Sequence, residues 1–186
     1  MARNVEIKAR IASVEALLPV ARALADGDAE LIEQDDCFYR VPHGRLKLRR
    51  FADGSGELIH YERPDRAGTR TSEYVRAATR DPAALHEALV RAFGAQGLLG
   101  RVRKRRWLLL AGQTRIHLDR VEGLGDFVEL EVVLREGQDE ADGERVAEAL
   151  MRALGLGDAA IAPRIAGAYL DLLATAQPTS QQIFTE

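Results

Sequence analysis

Glu129 and Glu131 stand two residues apart in the stretch DFVELEVVL (126–134), alternating with Val128, Leu130, Val132 and Leu134. A period of two places both carboxylates on one face of a strand and the apolar residues on the other. The same pattern recurs along the chain. NVEIKAR (4–10) sets Glu6 and Lys8 against Val5 and Ile7, and 45–50 sets Lys47 and Arg49 against Leu46 and Leu48. In 57–63 the shared face carries Glu57, Tyr61 and Arg63, and in 102–108 it carries Lys104 and Arg106 with Val102 and Leu108. In 114–121, Arg115, His117 and Asp119 oppose Ile116 and Leu118. Together these faces hold seven cations (Lys8, Lys47, Arg49, Arg63, Lys104, Arg106, Arg115) and five acids (Glu6, Glu57, Asp119, Glu129, Glu131).

On any one strand such a face reads as a solvated side of a half-buried antiparallel sheet. Taken together the faces read differently, because Arg and acids dominate them. With that side turned inward the sheet forms a polar tunnel, and helices must cover its apolar exterior. The chemistry that fits is the handling of polyphosphate. Guanidinium forks and ammonium groups match phosphate oxygens. Clustered carboxylates suit a hard divalent cation such as Mg²⁺ or Mn²⁺, which bridges to phosphate. A nucleic-acid surface would carry the bases without the acids.

The elements that must position these residues follow from pattern and punctuation. Strands are expected at 4–11, 29–40, 45–51, 57–63, 69–76, 98–110, 114–121 and 127–134. A helix capped by Ser13 runs to about Ala25 with Pro19 as a kink or early break. Asp81-Pro82 opens a helix that Gly94 ends. Further helices are expected at 139–154 and 161–173, and a polar, disordered tail from Thr175. DGSG (53–56) marks a hairpin turn. Eight strands with mostly hairpin-length links predict an α+β fold, an eight-stranded antiparallel closed β-barrel with peripheral helices. The register of Asp35 and Asp36 is not defined by the pattern.

The chain has 186 residues, 46% of them hydrophobic, and a formal net charge of −3. That length suits one domain with a core of its own, and the charge supplies no field that would recruit nucleic acid. The one cysteine, Cys37, forbids an internal disulfide and reads as a small apolar residue in a reducing compartment. No apolar run spans a bilayer and no signal sequence opens the chain, so a cytoplasmic location without membrane contact is expected. The 139–154 helix could serve a homodimer as well as the core.

The ordered set NVEIKAR, GRLKLR (44–49), ELIHYERPD (57–65), RKRR (103–106), TRIHLDRVEGLGDFVELEVV (114–133) and AYLDLL (168–173) resembles the CYTH superfamily of triphosphate tunnel metalloenzymes. The resemblance covers about 4–173, so 1–174 would be the CYTH domain, and its wording is nearest the class IV adenylate cyclase branch. It implies a tunnel that binds a triphosphate and Mg²⁺ or Mn²⁺. By position, Lys8, Lys47, Arg49, Arg63, Lys104, Arg106 and Arg115 would hold phosphate. Glu6, Glu129 and Glu131 would hold metal, with Asp119 as a further ligand or an orienter, and Lys8, Arg115 and Asp119 would be catalytic. Glu57, Tyr61 and His117 would line the substrate. Tyr61 carries two readings, base packing or plain wall; His117 likewise, phosphate contact or structural hydrogen bond. Where the family signature begins with Glu this sequence has Asn4, which puts a second metal in question. The activities implied are cyclisation of ATP to cyclic AMP and pyrophosphate, or hydrolysis of thiamine triphosphate or inorganic triphosphate. A binding protein without turnover is a third reading.

Overall fold

The computed structural model describes residues 4–62, 73–94, 96–158, 162–165 and 167–176. Eight strands form one antiparallel sheet: β1 (Asn4–Arg10), β2 (Glu30–Tyr39), β3 (Arg45–Phe51), β4 (Gly56–Glu62), β5 (Glu73–Thr79), β6 (Leu98–Ala111), β7 (Thr114–Val121) and β8 (Gly125–Val133). Four helices accompany them: α1 (Val14–Leu24), α2 (Pro82–Phe93), α3 (Glu140–Ala153) and α4 (Tyr169–Ala176). The order across the sheet is β1-β8-β7-β6-β2-β3-β4-β5. Two hairpin meanders, β2 to β5 and β6 to β8, meet where β2 pairs with β6, and β1 returns beside β8.

The closed barrel expected from the strand count is not reproduced in the hydrogen bonding. β1 and β5 end the order, and no ladder joins them among the described residues. The sheet is nonetheless strongly curved, since residues of β1 and β5 line the same cavity. Strand counting gives the number of partners; closure depends on how twist and curl accumulate over all eight strands, which no local pattern encodes.

Helices take the apolar outer face, as the alternation requires. Ser13 Oγ accepts from the Ala16 N–H at 3.1 Å and starts α1, which buries Val14, Leu17 and Ala21 against Ile116, Leu118 and Leu130. Pro19 neither ends nor interrupts the helix. It sits exposed, so the carbonyl it leaves unbonded can face water. Asp81 caps α2, and Leu85, Leu89 and Val90 pack on Leu48, Cys37 and Tyr39. A capping box of Asp139 and Asp142 starts α3. Gly143 lets that helix approach β1 closely: a Cβ there would stand 2.4 Å from Val5 Cγ2 and 2.6 Å from Leu134 Cδ2. The apolar stripe of α3 is thus taken up by the core, through Ala147 and Met151.

The C-terminal part departs most from expectation. A helix was expected at 161–173, but α4 starts only at Tyr169 and runs to Ala176, and 177–186 lie outside the described residues. Residues 163–165 instead lie along the outer edge of β1. Ile165 N–H donates to Lys8 O at 2.8 Å, Arg10 N–H to Pro163 O at 3.4 Å, and Ala9 bridges Arg164. Gly167, at φ 112°, takes the backbone turn that precedes α4. The chain then enters the concave face, where Tyr169 joins Phe38, Val102, Val121 and Phe127. One end of the interior is therefore apolar and filled, and the charged face occupies the rest.

Candidate functional site

The concave face encloses a cavity of about 310 Å³. Its walls carry Asn4, Glu6 and Lys8 from β1, Asp36 and Phe38 from β2, Lys47 and Arg49 from β3, and Ile59 and Tyr61 from β4. Tyr74 and Arg76 come from β5, Val102, Lys104 and Arg106 from β6, Arg115 and His117 from β7, Glu129 and Glu131 from β8, Tyr169 from the start of α4 and Ala168 from the residue before it. The alternation placed Glu6, Lys8, Lys47, Arg49, Tyr61, Lys104, Arg106, Arg115, His117, Glu129 and Glu131 on one face, and the structure brings all of them to this one cavity. Arg63 lies outside the described residues. Glu57 does not line the cavity; it turns to Arg76, at 3.8 Å.

Each acid is held by cations from neighbouring strands. Asp36 accepts from Lys47 Nζ at 2.8 Å and from Arg49 Nε and Nη2 at 2.7 and 2.8 Å. Burial alone would raise its carboxyl; Lys47 and Arg49 outweigh it and hold the group far below the usual carboxylate range. Asp119 has no exposed surface. It accepts two bonds from Arg106 at 2.6 Å, one from Lys104 at 3.1 Å and one from the Tyr169 hydroxyl at 2.9 Å. Burial opposes its charge, but Arg106 and Lys104 prevail and keep it ionised. Asp119 was expected among the metal ligands and catalytic groups. It lies beneath the cavity wall with both oxygens engaged, which is the place of an orienting residue for Lys104 and Arg106. Glu129 binds Lys8 at 2.9 Å, His117 Nδ1 at 3.2 Å and Arg106 at 3.4 Å.

Seven cations line the cavity: Lys8, Lys47, Arg49, Arg76, Lys104, Arg106 and Arg115. Against them, among the described residues, stand four lining acids, the buried Asp119 and Glu57 beside Arg76, leaving an excess of one formal positive charge. The strain of that excess shows at Lys104. Burial and the adjacent Arg106 push its ammonium down to about 7, against the pull of Asp119 and Glu129. His117 is likewise kept below its ordinary value by burial and Arg106, so it is neutral near pH 7. An anion placed there would offset the excess charge.

A divalent metal would need oxygen donors, and one corner supplies them. Glu6 stands directly opposite Glu131 in the β1–β8 register, and Lys8 opposite Glu129. Like charges in directly opposed positions repel unless a cation intervenes. Arg115 fills part of that role, 3.1 Å from Glu131, and Asn4 donates its amide to the same carboxylate. Among the described residues no three His, Cys, Asp or Glu side chains already converge as a preformed cage. Glu6, Glu129 and Glu131 are carboxylates of the kind a hard metal takes, but here their side chains serve Lys8 and Arg115 instead.

Three residues of consequence are not legible in the sequence: Arg76, on a strand without clear alternation, Asp36 and Tyr169. Asp36 sits on β2, whose sequence ELIEQDDCFY mixes polar and apolar on both faces; its register is fixed only by pairing with Arg49 on β3 and Val102 on β6. Tyr169 reads as a core residue of an amphipathic helix, and its hydroxyl partner is 50 residues away. Its ring takes contacts from Lys8 Nζ at 4.5 Å and Lys104 Nζ at 5.0 Å, and meets Phe127 edge-on at 5.0 Å.

The architecture has counterparts among solved structures. A Pyrococcus horikoshii protein superposes with a TM-score of 0.78 at 23% identity, covering 91% of this chain and 99% of its own. A proposed adenylate cyclase from Vibrio parahaemolyticus gives 0.73 at 20%, covering 92% and 98%. A Hippeastrum protein proposed as an adenylyl cyclase, and found to have a dominant triphosphatase activity, gives 0.66 at 17%, covering 95% and 98%. At these identities the likeness is one of fold. No curated protein matches in sequence. The CYTH domain family matches residues 2–166. With the match spanning most of the sequence and the eight-stranded antiparallel sheet built as its relatives build theirs, this chain belongs to the CYTH domain family.

Proposed function

We propose that this protein is a metal-dependent enzyme that takes a triphosphate into the concave cavity, with cyclisation of ATP to cyclic AMP and pyrophosphate as the leading reading. The observation that carries it is the excess of cations over acids on the described walls of the cavity, where five of the seven cations are at most 15% exposed. A chain of phosphates is the ligand whose charge density matches it. Tyr61, Tyr74, Phe38 and Ile59 give one side of the wall an apolar character on which an organic end group can rest. A curved sheet with β1 and β5 at its margins would act as the tunnel.

Arg49 and Lys47, already aimed by Asp36, and Arg106 and Lys104, aimed by Asp119, would neutralise the phosphate oxygens. Their fixed orientation means little reorganisation when charge shifts to the leaving group. His117, donating Nδ1–H to Glu129, would keep Nε2 as an acceptor for the proton of the attacking hydroxyl. A Mg²⁺ or Mn²⁺ ion at Glu131, Glu6 and Glu129 would draw electron density from the phosphates and so assist the departure of pyrophosphate. Lys8 and Arg115 border that corner and would hold the phosphate against it.

A triphosphatase uses the same groups with water in place of the ribose 3′-hydroxyl. The dominant triphosphatase activity of the Hippeastrum relative supports this second reading. Turnover of ATP, thiamine triphosphate and tripolyphosphate is to be measured side by side with Mg²⁺ and Mn²⁺, resolving cyclic AMP, pyrophosphate and orthophosphate. Cyclic AMP with equimolar pyrophosphate supports the cyclase, and orthophosphate supports the hydrolase. Tight binding without turnover identifies a binding protein. Absence of binding to all three overturns the triphosphate reading itself.

A further inference from the structure

We propose that Tyr169 is a positioning residue whose ring face holds the Lys8 and Lys104 ammonium groups at the cavity, so that both meet an incoming phosphate already aimed; the inference rests on the triphosphate reading above. The two lysines come from strands β1 and β6, which are not neighbours in the sheet. Both side chains are almost wholly buried, at 5% and 6% exposure. Each has carboxylate partners, Glu129 and Glu6 for Lys8 and Asp119 for Lys104. Besides the field of Glu129, both meet one aromatic ring, 4.5 and 5.0 Å from the two nitrogens.

An ammonium this dry needs partners on several sides. A π-face supplies negative potential without adding a charge or an acceptor that would compete for the phosphate. A carboxylate in that place would bind the lysines too firmly, and an aliphatic side chain would give them nothing. The ring itself is held by its hydroxyl and by an aromatic neighbour. Its hydroxyl donates to Asp119 at 2.9 Å, and its ring and that of Phe127 meet at 5.0 Å with 60° between their planes. Its helix starts at a turn in which Ala168 N–H donates to Asp171 at 3.0 Å, and Asp171 is tied to Arg45 at 3.1 Å. The preceding residues are laced to β1 at Lys8 itself, through Ile165 N–H to Lys8 O. The strand that carries one lysine and the segment that leads to the ring are thus joined by a backbone hydrogen bond.

The test varies the ring's electronics at constant shape. Tyr169 is replaced by phenylalanine, then by 3,5-difluorophenylalanine and pentafluorophenylalanine, and each full-length protein is checked for an unchanged melting profile. Tripolyphosphate affinity should fall stepwise with fluorination, by about tenfold across the series. With a turned-over substrate the loss should fall on KM with kcat much less affected. Independent of any ligand, the Lys8 and Lys104 Cε resonances of ¹³C-lysine protein should be shifted by the ring current, and the shift should vanish in Tyr169→Leu. A flat affinity series overturns the proposal. So does a loss complete at Tyr169→Phe with no further change, which would assign the effect to the hydroxyl bond with Asp119. Lysine resonances without ring-current shifts overturn it as well. Should the native protein bind no triphosphate, the functional reading falls by itself, and the lysine resonances still decide whether Tyr169 holds the two cations.

Discussion

Replacing Asp119 by Asn tests whether a single buried charge organises the cation wall. The exchange keeps size and shape and removes the negative charge that Arg106, Lys104 and Tyr169 share at 2.6, 3.1 and 2.9 Å. It also sets an amide NH₂ against guanidinium donors. Breaking a buried pair by removing one partner costs about 3–5 kcal/mol, because the other charge stays buried and uncompensated. Glu129, 3.4 Å from Arg106, offsets a part of that and favours the lower end. For a chain of this size the midpoint should fall by roughly 6–20 °C. The penalty should be greatest near neutral pH. Asp119 has a folded value depressed below its ordinary 3.8. Its contribution is thus present above 3.8 and is lost as pH falls through the depressed value, so native and variant proteins should converge in acid. Urea titrations at several pH values, with and without tripolyphosphate, make the measurement. A bound polyanion supplies the missing countercharge, so it should stabilise the variant more than the native protein, by about 1.4 kcal/mol for a tenfold gain in affinity. A loss below about 1 kcal/mol at pH 7 would show that Asp119 does not hold the wall together. Equal stabilisation of both proteins by ligand would show that Lys104 and Arg106 do not meet phosphate.

Lys104, near 7 in the free protein, should take up a proton when a polyanion binds, so affinity should weaken as pH rises above 7. Calorimetry at pH 8 in two buffers of different ionisation enthalpy should show the uptake, and Lys104→Arg should abolish it; equal proton uptake in both proteins would place the titration elsewhere. Arg115→Ala should weaken tripolyphosphate binding by about 1.5 kcal/mol, the low end for a charged hydrogen bond, because the side chain is 46% exposed. Arg103→Ala, on the outer face with Glu122, should change binding little, and equal losses at both positions would invalidate the face assignment. Glu131→Gln should sharply reduce Mg²⁺- or Mn²⁺-dependent turnover with little loss of folding, and Asn4→Glu should tighten a second metal measured by titration in the presence of triphosphate. Full metal-dependent activity in Glu131→Gln, or two tightly bound ions already in the native protein, would remove the roles assigned to Glu131 and Asn4 respectively.

Much of the cavity was legible because β-strands write their faces directly into sequence. Lys47 and Arg49, Lys104 and Arg106, or Glu129 and Glu131 need only a period of two to be placed together. The family resemblance then tied strands that are distant in sequence. What remained hidden depended on partners rather than on pattern. Asp36 is one such residue, because either register of β2 buries one polar and one apolar set, and only Arg49 and Lys47 across the ladder decide between them. The start of α4 is another. Residues 162–168 have helical composition apart from Pro163 and Gly167, yet β1 offers an unpaired edge that takes the 163–165 backbone instead. Tyr169 combined both difficulties, since its value lies in charges carried by β1, β6 and β7.

The pairing of β1 with β8 also has a consequence in time. Lys8 lies opposite Glu129, so the first strand made finds its partner only after some 120 further residues have been added. At a synthesis rate of about 5–20 residues per second, β1 waits for roughly 6–25 s. During that interval Val5, Ile7 and Ala9, all destined for the core, are uncovered, and Glu6 and Lys8 lack the strand they will face. A strand with one apolar face and unpaired edges is a template for wrong partners. Glu6 and Lys8, which later line the cavity, are also charges of the kind that keep a waiting strand in water.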